Sequence, residues 1–197
     1  MDFEKFSPTA VIYTPRFALD YPEATEKLIL INPIGLENYL NFVHYKDVGF
    51  FYRNELKKTP EKIKDCQQKN YYDGKWNERY DALTIPLVGW VKGPDWKNIA
   101  FVNALTYDMI FTQPVVEEFK NLKVQSVIIL GTRDRTGPGR NWMKAGVDYE
   151  LGRYDRLGER IQKRNSAIML YELDGLGHLP QIEDFNRFKT IFLKALP

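Results

Sequence analysis

The chain has 197 residues, 44% hydrophobic, 14% aromatic and 27% charged, which fits one globular domain with a sizeable core. Lys+Arg 28 against Asp+Glu 26 leaves a net charge of +2, so the balance gives no electrostatic reason to expect nucleic acid or an anionic membrane as partner. Cys66 is the single cysteine, which excludes an intrachain disulfide framework and suits a reducing, cytoplasmic compartment.

The opening stretch MDFEKFSPTAVIYTP lacks the basic-then-apolar pattern of a secretory leader, and no run of about 18 apolar residues occurs anywhere. Pro15 followed by Arg-Phe-Ala-Leu-Asp reads as a short helix that stops before Pro22. Next, Lys27-Leu-Ile-Leu-Ile-Asn32 is a continuous apolar run bounded by Pro33 and Gly35, the pattern of a strand buried on both faces. From Leu36 to Phe119 the chain is rich in Tyr, Phe, Trp, Lys and Asn, with helical periodicity punctuated by Pro and Gly. This stretch reads as a mainly helical insertion between two strands of one sheet. The strand pattern returns over Val124–Leu130, ended by Gly131, and more weakly over Ala167–Tyr171. Trp142 to Arg164 reads as a charged loop followed by a helix. After the Gly175–Gly177 turn, Phe185, Phe188, Ile191, Phe192 and Leu196 mark a closing amphipathic helix over Glu183–Leu196. Strands alternating with helices predict an α/β fold with a parallel sheet, to which Ala10–Thr14 could fold back as a further strand.

Two motifs follow the second and third of these strands. One is Gly131-Thr-Arg-Asp134-Arg-Thr-Gly-Pro-Gly139; the other is Asp174-Gly-Leu-Gly-His178-Leu-Pro-Gln-Ile-Glu183. Sites of open α/β sheets form at the carboxyl ends of the strands, so a carboxylate after one strand can meet a histidine after the next. There the carboxylate would hold the imidazole in one tautomer and stabilise the imidazolium formed on proton uptake. Taken singly, Asp134 could only cap its own turn, and His178 could be an ordinary loop histidine. Their corresponding positions make a dyad the better reading.

These residues, in this order, resemble the α/β-hydrolase superfamily. GTRDRTGPG looks like the loop that carries the acid of the triad, and DGLGHLPQIE like the segment that carries the catalytic histidine. PRFALDYPEATEKLILINPIGL looks like the helix after the nucleophile and the strand that leads into the cap. The order acid then histidine also matches the family order. The resemblance implies a core formed by residues 1–35 and 120–197, and a helical cap, or lid, over residues 36–119. It implies hydrolysis of an ester or similar bond in an apolar small molecule, with His178 as base and Asp134 as its partner. The family nucleophile sits on G-x-S-x-G, and the register puts that position near Ser7, inside Phe6-Ser-Pro-Thr-Ala10, where flanking glycines are missing. The expectation is therefore a chain that starts after the nucleophile and oxyanion loop and is inactive alone. A degenerate, non-catalytic binding paralogue is the alternative. Either way, the Lys27–Asn32 edge is a candidate for self-association.

Within the insertion, Trp90, Trp96, Tyr107 and Phe111, with Trp76, either line an apolar cavity over the dyad or pack among the helices, the commoner outcome. His44 reads as a solvated residue on a helix, and Cys66 as inert in a polar run. Arg133, Arg135 and Arg140 could meet an anionic substrate but more often make local ion pairs. Two histidines and one cysteine offer no metal-ligand spacing, and neither a metal nor another cofactor is expected.

Overall fold

A computed structural model of the chain describes residues 8–196, with side chains described from Tyr13 onward. In chain order these residues form α1 (Pro8–Asp20), β1 (Lys27–Ile31), α2 (Val48–Glu55), α3 (Pro60–Tyr71), α4 (Glu78–Lys92), α5 (Trp96–Thr112), β2 (Gln125–Gly131), α6 (Tyr154–Arg164), β3 (Met169–Leu173), the short α7 (Pro180–Glu183) and α8 (Phe185–Ala195). The three strands make one parallel sheet in the order β1-β2-β3. Its register pairs Leu30 with Ile128 and Ile128 with Leu170.

Successive strand residues point to opposite faces, so each face of the sheet gathers its own core. Ile128 and Leu130 of β2 join Leu28 and Leu30 of β1, packed against Met109, Ile110 and Phe111 of α5 and Leu157 and Ile161 of α6. Val127 and Ile129 face the other way, onto Phe188 and Ala195 of α8. Cover on both faces is what lets β2 read as an unbroken apolar run. All four residues from Val127 to Leu130 are 1% exposed or less.

Local signals place the helix starts. Asp47, Thr59, Asn77 and Asp184 each accept a backbone N–H from the first turn of α2, α3, α4 and α8, and Pro60 occupies the first position of α3. Between β1 and β2, α2 packs on α5, α3 on α4, and α4 on α5. Leu36, Tyr39 and Val43, Phe51 of α2, the second half of α5 and the following Val115, Val116 and Phe119 join the sheet's core, whereas α4 buries no residue.

Three expectations are corrected. Ala10–Thr14 is helical, the first half of α1, and is not a strand. A strand there would have covered the edge of β1; instead α1 docks as a helix on β1, α5 and the Val116–Asn121 turn, with Ala18 1% exposed. Glu183–Leu196 is broken at Asp184, whose backbone leaves the helical region so that its carboxylate can cap α8. His44 is exposed, as expected, but lies in a segment without regular secondary structure before α2.

Candidate active site

Because β1, β2 and β3 are parallel, the residues that follow each of them share one rim of the sheet. Asp134 comes from the turn after β2 and His178 from the turn after β3. They meet: His178 Nδ1 lies 2.7 Å from Asp134 Oδ2. Asp134 is 0% exposed, and its other oxygen accepts the Thr136 N–H at 2.7 Å. A third strand end takes part. Asn32, directly after β1, donates its side-chain amide to Asp134 Oδ2 at 2.9 Å and accepts the Gly131 N–H at 2.8 Å.

Burial by itself would push the Asp134 carboxyl up. The hydrogen bond and charge of His178, joined by Asn32 and Thr136, outweigh it and hold the carboxyl below its ordinary value. An ionised Asp134 fixes the proton of the neutral imidazole on Nδ1, so Nε2 carries the lone pair that can take up a proton. The Thr136 hydroxyl lies 3.2 Å from the same Nδ1 and braces that edge of the ring.

The two loops are zipped together. Arg133 N–H donates to the Leu176 carbonyl at 2.9 Å, and its guanidinium donates to the Gly175 carbonyl at 2.9 Å. The same guanidinium pairs with Glu183, which also accepts the Gly177 N–H. Thr132 Oγ1 donates to Asp174 and accepts from Gly175 N–H, both at 3.0 Å. Two glycines allow this approach. A Cβ at Gly131 would overlap the Gly177 and Leu176 carbonyls, and one at Gly177 would overlap the carbonyl of Tyr71 at the end of α3. That same Tyr71 lays its ring against His178, with ring centroids 4.6 Å apart and planes 30° from parallel.

The aromatic candidates of the insertion pack among its helices. Trp90 and Trp96 line a small cleft of about 30 Å³ with Ile63, Leu87 and Val91. Tyr107 and Phe111 both stack on Phe51. Arg133 pairs with Glu183, Arg135 with Asp155 at 3.4 Å, and Arg140 donates to the Leu151 carbonyl at 3.5 Å, so all three arginines tie the loop after β2 to neighbouring segments. Cys66 is exposed and accepts from Asn70. Ser7 lies outside the described residues. The described serines, Ser126 and Ser166, sit at the amino-terminal ends of β2 and β3, the rim opposite His178.

Sequence reading missed Asn32 and Tyr71. A polar residue ending an apolar strand was a signal for Asn32; nothing local marked Tyr71, which reaches His178 only through the docking of α3.

No family model and no curated protein matches the chain. Among solved structures it is similar to a probable hydrolytic enzyme from Pseudomonas aeruginosa PAO1, at 37% identity and a TM-score of 0.89, over 95% of this chain and 60% of that one. It is similar in fold to 2-hydroxy-6-oxo-6-phenylhexa-2,4-dienoate hydrolase from Rhodococcus sp. strain RHA1, at 14% identity and TM-score 0.59 over 94% of this chain and 60% of that one. The enol-lactonase from Burkholderia xenovorans LB400 matches at 14% identity and TM-score 0.58, over 94% of this chain and 62% of that one. The parallel sheet covered by helices, with acid and histidine on one rim, is thus a partial α/β-hydrolase fold. The chain belongs to the α/β-hydrolase superfamily and spans about three fifths of the length of these relatives.

Proposed function

We propose that the chain carries the acid–base half of a hydrolase acting on esters or similar bonds of apolar small molecules. The observation that supports this reading is the 2.7 Å contact between His178 Nδ1 and a fully buried, ionised Asp134. In this reading Nε2 takes the proton of an attacking hydroxyl and later returns it to the leaving group, while Asp134 stabilises the imidazolium in between. The attacking hydroxyl comes from outside residues 8–196, where Ser7 also lies. The helices of residues 36–119 form the lid that shapes the substrate pocket, with Trp90, Trp96, Tyr107 and Phe111 as its candidate aromatic residues, and the protein works in the cytoplasm. Copies of the chain associate along the outer edge of β1.

The test is hydrolysis of short-chain acyl esters by the 197-residue chain and by a form extended through the reading frame upstream of Met1. Turnover that falls by about 10²–10⁴ on His178→Ala supports the reading. Turnover indifferent to that change overturns it. Saturable binding of an apolar ester without turnover in either form favours a non-catalytic binding protein of the same fold.

A further inference from the structure

The Asp134 carboxylate holds one edge of the His178 ring but leaves the ring free to tilt about that contact. Its face is met by a residue from the insertion. Tyr71 ends α3, and its backbone carbonyl is seated against Gly177, one residue before His178, where a side chain would not fit. The ring is therefore brought over the imidazole by backbone packing, with centroids 4.6 Å apart and planes tilted by 30°. An aromatic face carries negative charge density, which attracts a cation within about 6 Å and does little for a neutral ring. The Tyr71 carbonyl, at the end of α3, adds partial negative charge beside Gly177.

We propose that Tyr71 is a positioning residue for His178, clamping the imidazole by its face and stabilising the imidazolium. This rests on the reading of His178 as a base, and it ties base strength to the insertion: with α3 docked, His178 holds its proton more firmly than with α3 displaced. The titratable and charged groups around the ring are Asp134 and Arg133 on the loop after β2 and Glu183 on α7. Cys66, Tyr107, Asp134 and Tyr72 interact with Tyr71. Substitution at position 71 changes none of these groups.

The experiment is a proton NMR titration of His178 in the full chain, where the only other histidine, His44, is assigned with a His44→Gln variant. Tyr71→Phe keeps the ring and should leave the midpoint nearly in place. Tyr71→Leu should lower it by roughly half a unit. Should Tyr71→Leu fail to fold, phenylalanines of increasing ring fluorination at position 71 keep the shape while draining charge from the face. The midpoint should then fall stepwise with each added fluorine. A flat fluorine series, or a Tyr71→Phe midpoint as low as that of Tyr71→Leu, overturns the proposal. Because this readout needs no turnover, its failure is distinguishable from failure of the hydrolase reading.

Discussion

Asn32 bridges two strand ends through one side chain, donating to Asp134 Oδ2 at 2.9 Å while accepting the Gly131 N–H at 2.8 Å. Its backbone holds φ at 40°, a left-handed conformation that asparagine tolerates better than most residues. Its own N–H donates to the Ile129 carbonyl at 2.9 Å, continuing the β1–β2 ladder by one residue. Asn32 thus positions the acid from a third strand.

Replacing Asn32 by Gly keeps the backbone conformation and removes only the side chain. The Gly131 N–H then lacks its acceptor, and Asp134 loses one of the donors that hold it ionised. Urea unfolding should show a loss of about 1–3 kcal/mol, the cost of an unpaired buried polar group. A loss under about 0.5 kcal/mol, the size of an ordinary surface change, would contradict the bridging role.

The lowered Asp134 value sets the sign of an acid dependence. Below its ordinary value of 3.8 the unfolded chain binds a proton at this site that the folded chain still refuses, so stability rises with pH across that window. The contribution of Asp134 is complete above the ordinary value and disappears as pH falls through the folded one. Asp134→Asn should therefore be less stable than the parent at neutral pH, and the gap should close as the solution is acidified. Denaturant melts between about pH 2 and 7 check this; a gap that is constant over that range counts against it.

Sheet and dyad were legible because their signals are local. Apolar runs of strand length gave β1, β2 and β3, and loop residues directly after parallel strands must share a rim, which made Asp134 and His178 neighbours without any coordinates. Ala10–Thr14 differs from its expected strand because the expectation came from the need to cover the edge of β1, whereas its helix docks on α5 and β1, a contact that the segment itself does not signal. Tyr71 was invisible for a related reason. Its place over His178 depends on where α3 lands, and that in turn depends on a carbonyl fitting against Gly177, a contact between residues far apart in sequence.

Glu37 predicts the opposite pH sign. It is 5% exposed and accepts from the Tyr149 hydroxyl at 2.8 Å and the Gly152 N–H at 3.0 Å. Burial nevertheless prevails and raises its carboxyl above 4.5, against the pull of Tyr149, Gly152, Arg160 and Arg140. From that ordinary value up to the raised one the folded chain holds a proton the unfolded chain has lost, so stability falls as pH rises. Glu37→Gln has no proton to lose. Its stability relative to the parent should climb through this window and then level off, as read from melts at closely spaced pH values.

Glycines test packing by contrast. A methyl group at Gly177 would overlap the Tyr71 carbonyl, whereas one at Gly89 in α4 meets nothing within 4 Å. Gly177→Ala should cost about 1–3 kcal/mol by forcing α3 off the His178 loop. Gly89→Ala should add about 0.5–1 kcal/mol by favouring the helix. Equal effects from the two substitutions would sink the claim that α3 seats on Gly177.

The outer edge of β1 offers the last test. Asn32 N–H points into the sheet, toward Ile129, and strand alternation then turns the N–H groups of Ile29 and Ile31 outward. Among the described residues no strand pairs with this edge, and unpaired apolar edges recruit other chains. The chain should show concentration-dependent association in light scattering. Ile29→Pro removes an outward N–H at a position where an edge strand tolerates proline, so association should weaken while the far-ultraviolet spectrum keeps its helical and strand content. A monodisperse monomer at high concentration, or association unchanged by Ile29→Pro, would show that this edge is not the contact surface.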